Sequence, residues 1–259
     1  HNHLYPQGHP YQHTTIGTHE DLTAATLGDV KGFFRQHYVA SNAIVTIVGD
    51  IAPPAALQLV KRYFGGIERG TRTPKPTFAA PQNAAKHIVE KDDVKLPRVH
   101  LAFHSPAFLE PGDAEMDILA TVLASGKTSR LYKPLVYDKK IAKDVSAYQA
   151  SRALGSMFVV QATAAPGVTA EVLHKELDAA LRKALATPPT EDEMVRAVNG
   201  WRKSFYGRVE SVLSRAQMLS TYQHLVGRAD FLADDLARYT ALTPAAVARA
   251  AKAHVTPDA

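Results

Sequence analysis

The sequence predicts an α+β fold, with a largely antiparallel sheet and helices packed on one face. Three observations predict it. Short β-branched, apolar stretches come in neighbouring pairs, "KHIVEKD" with "RVHLAFHSPAF", and again on both sides of Gly155. Long amphipathic helical patterns follow these strands instead of alternating with them. The first 66 residues read helix, strand, helix, which resembles the end of the same pattern. Two related domains follow: residues 1–66 as the last part of a truncated first domain, 67–85 as a linker, and 86–259 as the second domain.

Thr18 and Thr26 each precede an acid by three residues, Asp21 and Asp29, the spacing of a reciprocal helix N-cap. After the second cap, Leu27, Val30, Phe34 and Tyr38 form one apolar helix face. "NAIVTIVGD" then reads as a buried strand ending in a Gly49–Asp50 turn. "PPAALQLVKRYFGG" reads as a helix opened by proline and closed by glycine. Residues 67–85 hold three prolines and no periodicity, as a linker would. Beyond it the two strands at 86–92 and 98–108 precede a helix from Asp113 to Ser125. A short helix is expected near Pro134, and a hairpin about Gly155. Leu173, Leu177, Leu181 and Leu185 lie in one row of a further helix. Thr190 and Glu193 form a capping box for a long helix, with an apolar row from Met194 through Trp201 and Phe205 to Leu219. Gly200 and Gly207 could kink it. Thr243–Pro244 opens the last helix.

The chain has 259 residues, 46% hydrophobic and 21% charged, an ordinary globular composition. No run of eighteen apolar residues is present, so no transmembrane helix is expected. The opening "HNHLYPQGHPYQH" does not read as a signal peptide. The absence of cysteine excludes disulfides and thiolate zinc sites, and suits an oxidising compartment. The net charge is +5, but basic residues interleave with acids, as in "LHKELDAALRKAL". That describes a solvated mixed surface better than a nucleic-acid footprint.

The stretch "LASGKTSRLYKPLV" contains "GKT", the end of a phosphate-binding loop. Such a loop needs a glycine five residues before Gly126, where Thr121 stands, and it should follow a strand. Here Met116, Leu119, Val122 and Leu123 mark a helix, so Gly126 reads as the glycine that ends it. Among twelve histidines, His9 and His13 are separated by Pro10, and His100 and His104 are too far apart along a strand to chelate one ion. Neither H-E-x-x-H nor H-x-x-E-H occurs. Ser129, Ser151 and Ser156 lack a nucleophile elbow. Glu191, Asp192 and Glu193 sit where acids favour a helix dipole. No catalytic, substrate-binding or metal-binding residue set emerges from the residues themselves.

The order of motifs nevertheless resembles the pitrilysin/insulinase-type zinc metallopeptidases. His9-Pro10-Tyr11, then Ile16-Gly17, then Tyr38 with Asn42, then Gly49-Asp50 follow the late part of that family's first domain. "RYFGGI" matches the helix end after it, and "S-R-L-Y" at 129–132 matches the second domain. The resemblance implies a two-layer domain like that of mitochondrial processing peptidase. It also implies a parent zinc endopeptidase that encloses peptides or unfolded proteins. The family's H-x-x-E-H motif and distant Glu lie earlier than anything matched here. No zinc ligand or base is therefore carried over, and this chain alone is expected to be inactive.

Many members carry a substrate-holding Arg and Tyr seven residues apart after S-R-L-Y. Those positions fall here on Val136 and Lys143, which identifies the back portion of a catalytic half whose partner half supplies the pair. The expected partners are the remainder of the same polypeptide or another subunit, and peptide substrates, without nucleic acid or a membrane span. Family habit and the lack of cysteine point to the periplasm. The competing expectation is a non-catalytic scaffold of the same family; a nucleotide binder ranks last.

Overall fold

The computed structural model describes residues 3–74, 76–78 and 84–256. The described residues separate into two compact units, one drawn from His1–Ala79 with Ser204–Ala233, the other from Ala80–Lys203 with Asp234–Ala259. The segment 204–233 thus groups with the first unit, although it interrupts the second in sequence.

The first unit is built from helices. Helix α1 (His19–Ala24) and α2 (Leu27–His37) both open with the anticipated capping boxes, in which Thr18 and Thr26 exchange bonds with Asp21 and Asp29. Helix α3 spans Pro53–Phe64. The "NAIVTIVGD" run is not a strand here: it has no ladder partner among the described residues, and Ile44, Val45 and Ile47 are exposed. A β-branched run needs a neighbour for its N–H and C=O groups before it becomes a sheet. Of the expected linker at 67–85, residues 75 and 79–83 lie outside the described residues, and the others form no helix or strand.

The second unit carries the core. Strands β1 (Arg98–Ser105), β2 (Ala142–Ala150) and β3 (Ser156–Ala164) form an antiparallel sheet in the order β1-β3-β2. The hairpin about Gly155 joins β2 to β3 as expected. The run at 86–92 is not a strand, although its apolar pattern predicts one. Register pairs Val99, Leu101 and Phe103 with Ala162, Val160 and Phe158, and those with Val145, Ala147 and Gln149. Nearly all of these apolar residues belong to one hydrophobic cluster with helix α4 (Asp113–Ala124), α5 (Ala170–Leu185) and α9 (Pro244–His254). Leu173, Leu177 and Leu181 are fully buried, and Leu185 packs at the margin. Each such leucine contributes about 2 kcal/mol of apolar burial.

The long helical pattern after Thr190 is two helices. Helix α6 (Glu191–Glu210) ends where Ser211 caps α7 (Val212–Leu225). The break falls at Ser211, not at Gly200 or Gly207. A further helix, α8 (Leu232–Thr240), goes beyond the sequence expectation, although Leu232, Leu236 and Tyr239 sit at helical spacing.

A buried carboxylate ties α4 to α8 and to the end of β2. Asp113 is fully buried; Leu109 N–H (3.0 Å) and Arg238 Nη2 (2.8 Å) donate to one oxygen, and the Ser151 hydroxyl (2.7 Å) to the other. Burial is the largest single influence and works against the Arg238 charge, but the Asp113 bond together with the charges of Asp113 and Asp235 and the Tyr239 phenol outweighs it, and the pKa rises. Beside them, Tyr239 stacks on Trp201 at 3.6 Å and donates to Asp117 at 2.6 Å. Burial, and then the Asp117 charge, push the phenol pKa far up.

Candidate functional site: the exposed face of the sheet

The Gly126 stretch resolves first. Gly126 ends α4 with φ +82, a left-handed conformation suited to glycine. Arg130 and Leu131 N–H groups donate back to the carbonyls of Val122 and Leu123, and Ser129 closes onto Gly126 O. This is a helix C-terminus with its carbonyls capped, not an array of N–H groups around a phosphate. Lys127 is exposed. Arg130 is a clamp instead. Its Nε and Nη2 donate to Glu193 at 2.8 and 2.6 Å, and its terminal nitrogens donate to the carbonyls of Ala184, Thr187 and Pro188. It joins the end of α5 to the start of α6, where Glu193 also completes the box with Thr190.

Strand alternation separates the sheet into a core face and a face turned away from it. The second face carries Arg98, His100 and His104 on β1, Gln161 and Thr163 on β3, and Ser146 and Tyr148 on β2. Tyr148 is 43% exposed, and His100 is exposed too. Arg98 Nε donates to Thr163 Oγ1 at 3.0 Å, and Thr163 Oγ1 donates to Asp144 Oδ1 at 3.0 Å. Partial burial, and then the Arg98 charge, lower the His100 pKa. Both effects favour the neutral ring, which is a donor and an acceptor at once. The face offers hydrogen bonds and an aromatic surface, and no nucleophile there is paired with a base. Of this set, sequence reading singled out His100 and His104; Arg98, Thr163, Asp144 and Gln161 were missed. The polar–apolar alternation of "RVHLAFH" was the available signal for Arg98.

The other sequence candidates lie elsewhere. His9 is buried, stacks on Tyr5 at 4.7 Å and accepts from Tyr11 N–H through Nδ1; burial lowers its pKa. His13 is exposed. Ser151 is bound to Asp113, and the Ser156 hydroxyl accepts from Arg152 N–H. Val136 packs against the core, and Lys143 is an exposed residue at a β2 bulge.

Zinc does not fit the described residues. His100 and His104 are about 13 Å apart along their strand at 3.3 Å per residue. His87 and His174 approach to 5.6 Å between ring centres, but no group of three or more potential ligands lies together among the described residues. A zinc site needs three or four.

Residues 24–200 match the family described as peptidase M16 inactive domain. The zinc protease PqqE of Helicobacter pylori is 31% identical over 218 residues, 83% of this chain and 49% of that protein. A protease structure from Helicobacter pylori superposes with TM-score 0.85 at 28% identity, over 96% of this chain and 61% of that one. A peptidase M16 inactive domain from Pseudomonas fluorescens gives TM-score 0.84 at 21% identity, over 99% of this chain and 61% of that one; at that identity it shows the fold alone. The chain spans about half the length of the curated relatives it matches. The helix-backed antiparallel sheet, the S-R-L-Y clamp and the match over more than half the residues agree: this chain belongs to the peptidase M16 inactive-domain family.

Proposed function

We propose that this chain is part of a zinc-dependent metalloendopeptidase that degrades peptides or unfolded proteins, and that it forms a wall of the peptide-enclosing chamber. The observation that carries the reading is the one-sided sheet of the second unit. One face is covered by helices, and the other carries the exposed His100 and Tyr148 and the half-buried Gln161 and Ser146. Zinc and the activating carboxylate come from the remainder of the same polypeptide or from a partner subunit. The exposed apolar residues Val30, Phe33 and Phe34 on α2, and Leu57, Tyr63 and Phe64 on α3, support such a partner. Exposed apolar side chains in this number suit an interface. We place the enzyme in the periplasm, which its lack of cysteine suits.

In a catalytic half, Val136 and Lys143 stand where other members hold substrate, so the partner half supplies that Arg and Tyr. The test is a quenched-peptide assay on the 259-residue chain and on the full-length gene product. The chain alone should show neither cleavage nor tight one-to-one zinc binding by calorimetry. The full-length protein should cleave, and lose activity with a chelator. Chelator-sensitive cleavage by the chain alone, or none by the full-length protein, would reject the assignment.

A further inference from the structure

Arg98 sits on an edge strand, on the exposed face, and is held there through the sheet. Its Nε is bonded to Thr163, and Thr163 to Asp144, with bonds of 3.0 Å each. Arg98, Thr163 and Asp144 are register partners on β1, β3 and β2, so this chain of bonds crosses all three strands. Thr163 is 7% exposed, which shields both bonds from water. An arginine serving only to keep an edge strand from pairing needs no such tether.

The tether occupies Nε and leaves the terminal nitrogens. Among the described residues neither Nη1 nor Nη2 has a hydrogen-bond or ion-pair partner. A guanidinium fixed by Nε presents these two as a planar fork, the geometry that accepts a carboxylate through two parallel bonds. Its orientation is already set, so less freedom is lost when a ligand arrives. The two 3.0 Å bonds through Thr163 put Asp144 Oδ1 within about 6 Å of Nε, so its charge offsets part of the guanidinium's but bonds neither terminal nitrogen. The exposed Lys143 beside it adds a positive charge.

We propose that Arg98 is a specificity residue that binds a carboxylate of a peptide lying on the exposed sheet face, with Thr163 as its positioning residue. This rests on the chamber reading above. The carboxylate comes from an acidic side chain or from the peptide C-terminus, and the experiment separates the two.

Labelled extended heptapeptides with a central Glu or Gln, each as free acid and as C-terminal amide, are titrated against the 259-residue chain by fluorescence anisotropy. Loss of a bidentate charged contact is worth about tenfold in affinity. The Glu peptide should bind about tenfold tighter than the Gln peptide, and Arg98→Gln should abolish that preference. Thr163→Val, folded by circular dichroism, should weaken it in part, because the fork survives without its tether. Arg98→Lys should keep only a fraction. A preference that follows the free terminus instead assigns the carboxylate to the C-terminal end. No peptide binding, no carboxylate preference, or a preference intact in Arg98→Gln would overturn the proposal. Should the full-length protein lack chelator-sensitive cleavage while the Arg98-dependent preference persists, the chamber reading fails and this one stands.

Discussion

Arg130 shows how a motif residue that looks chemical can be structural. Its side chain is 16% exposed, and its donors go to one carboxylate and three carbonyls. Removing it strands the Glu193 charge and leaves helix-end carbonyls short of a donor. Arg130→Ala should therefore cost about 3 kcal/mol in urea unfolding. Arg130→Lys should recover less than half, since an ammonium cannot span a carboxylate and three carbonyls at once. The Arg130 bond also lowers the Glu193 pKa, ahead of the opposing effect of burial. A lowered folded-state pKa contributes stability above the ordinary value of 4.5, lost as pH falls through the depressed value. The acid limb of the stability curve should accordingly be shallower in Arg130→Ala than in the wild type.

At the scale of elements, the capping chemistry accounts for most of the helix boundaries. Ser211 is the telling case, because its hydroxyl accepts from Ser214 N–H and begins a new helix inside a continuous apolar row. Ser211→Ala should destabilise α7 by about 1 kcal/mol, read as faster amide exchange across 212–218 with the second unit unaffected. The helices α2 to α6, α9 and the β2–β3 hairpin were legible because caps, periodicity and Gly155 are local signals. The α6–α7 break was not, since the spacing from Phe205 to Leu219 continues in phase across it. The runs at 42–50 and 86–92 misled for a different reason: pattern states that a segment suits a sheet, but pairing requires a neighbour. The candidate site was half legible. His100 and His104 stood out by residue type, whereas the Arg98–Thr163–Asp144 row depends on register between strands far apart in sequence.

At the scale of the molecule, the two units differ in how much they bury. Met116, Leu123, Leu131, Phe158 and Val160 are all at 0% exposure in the second, whereas Leu27, Phe34 and Tyr63 of the first are half exposed or more. The sheet of the second unit also has a kinetic consequence. Its central strand β3 reaches β2 across the short turn 151–155, but reaches β1 only after some fifty residues of intervening chain have been closed into a loop. Loop closure costs entropy before distant contacts repay it. The hairpin should thus form on the way to the folding transition state, with β1 docking after it. Gly155, at φ +125, should act as the pacemaker: Gly155→Ala should slow refolding in a stopped-flow experiment, while Leu101→Ala on β1 should chiefly hasten unfolding. The edge that presents Arg98 to solvent is, on this order of events, the last part of the sheet to arrive and the first to leave.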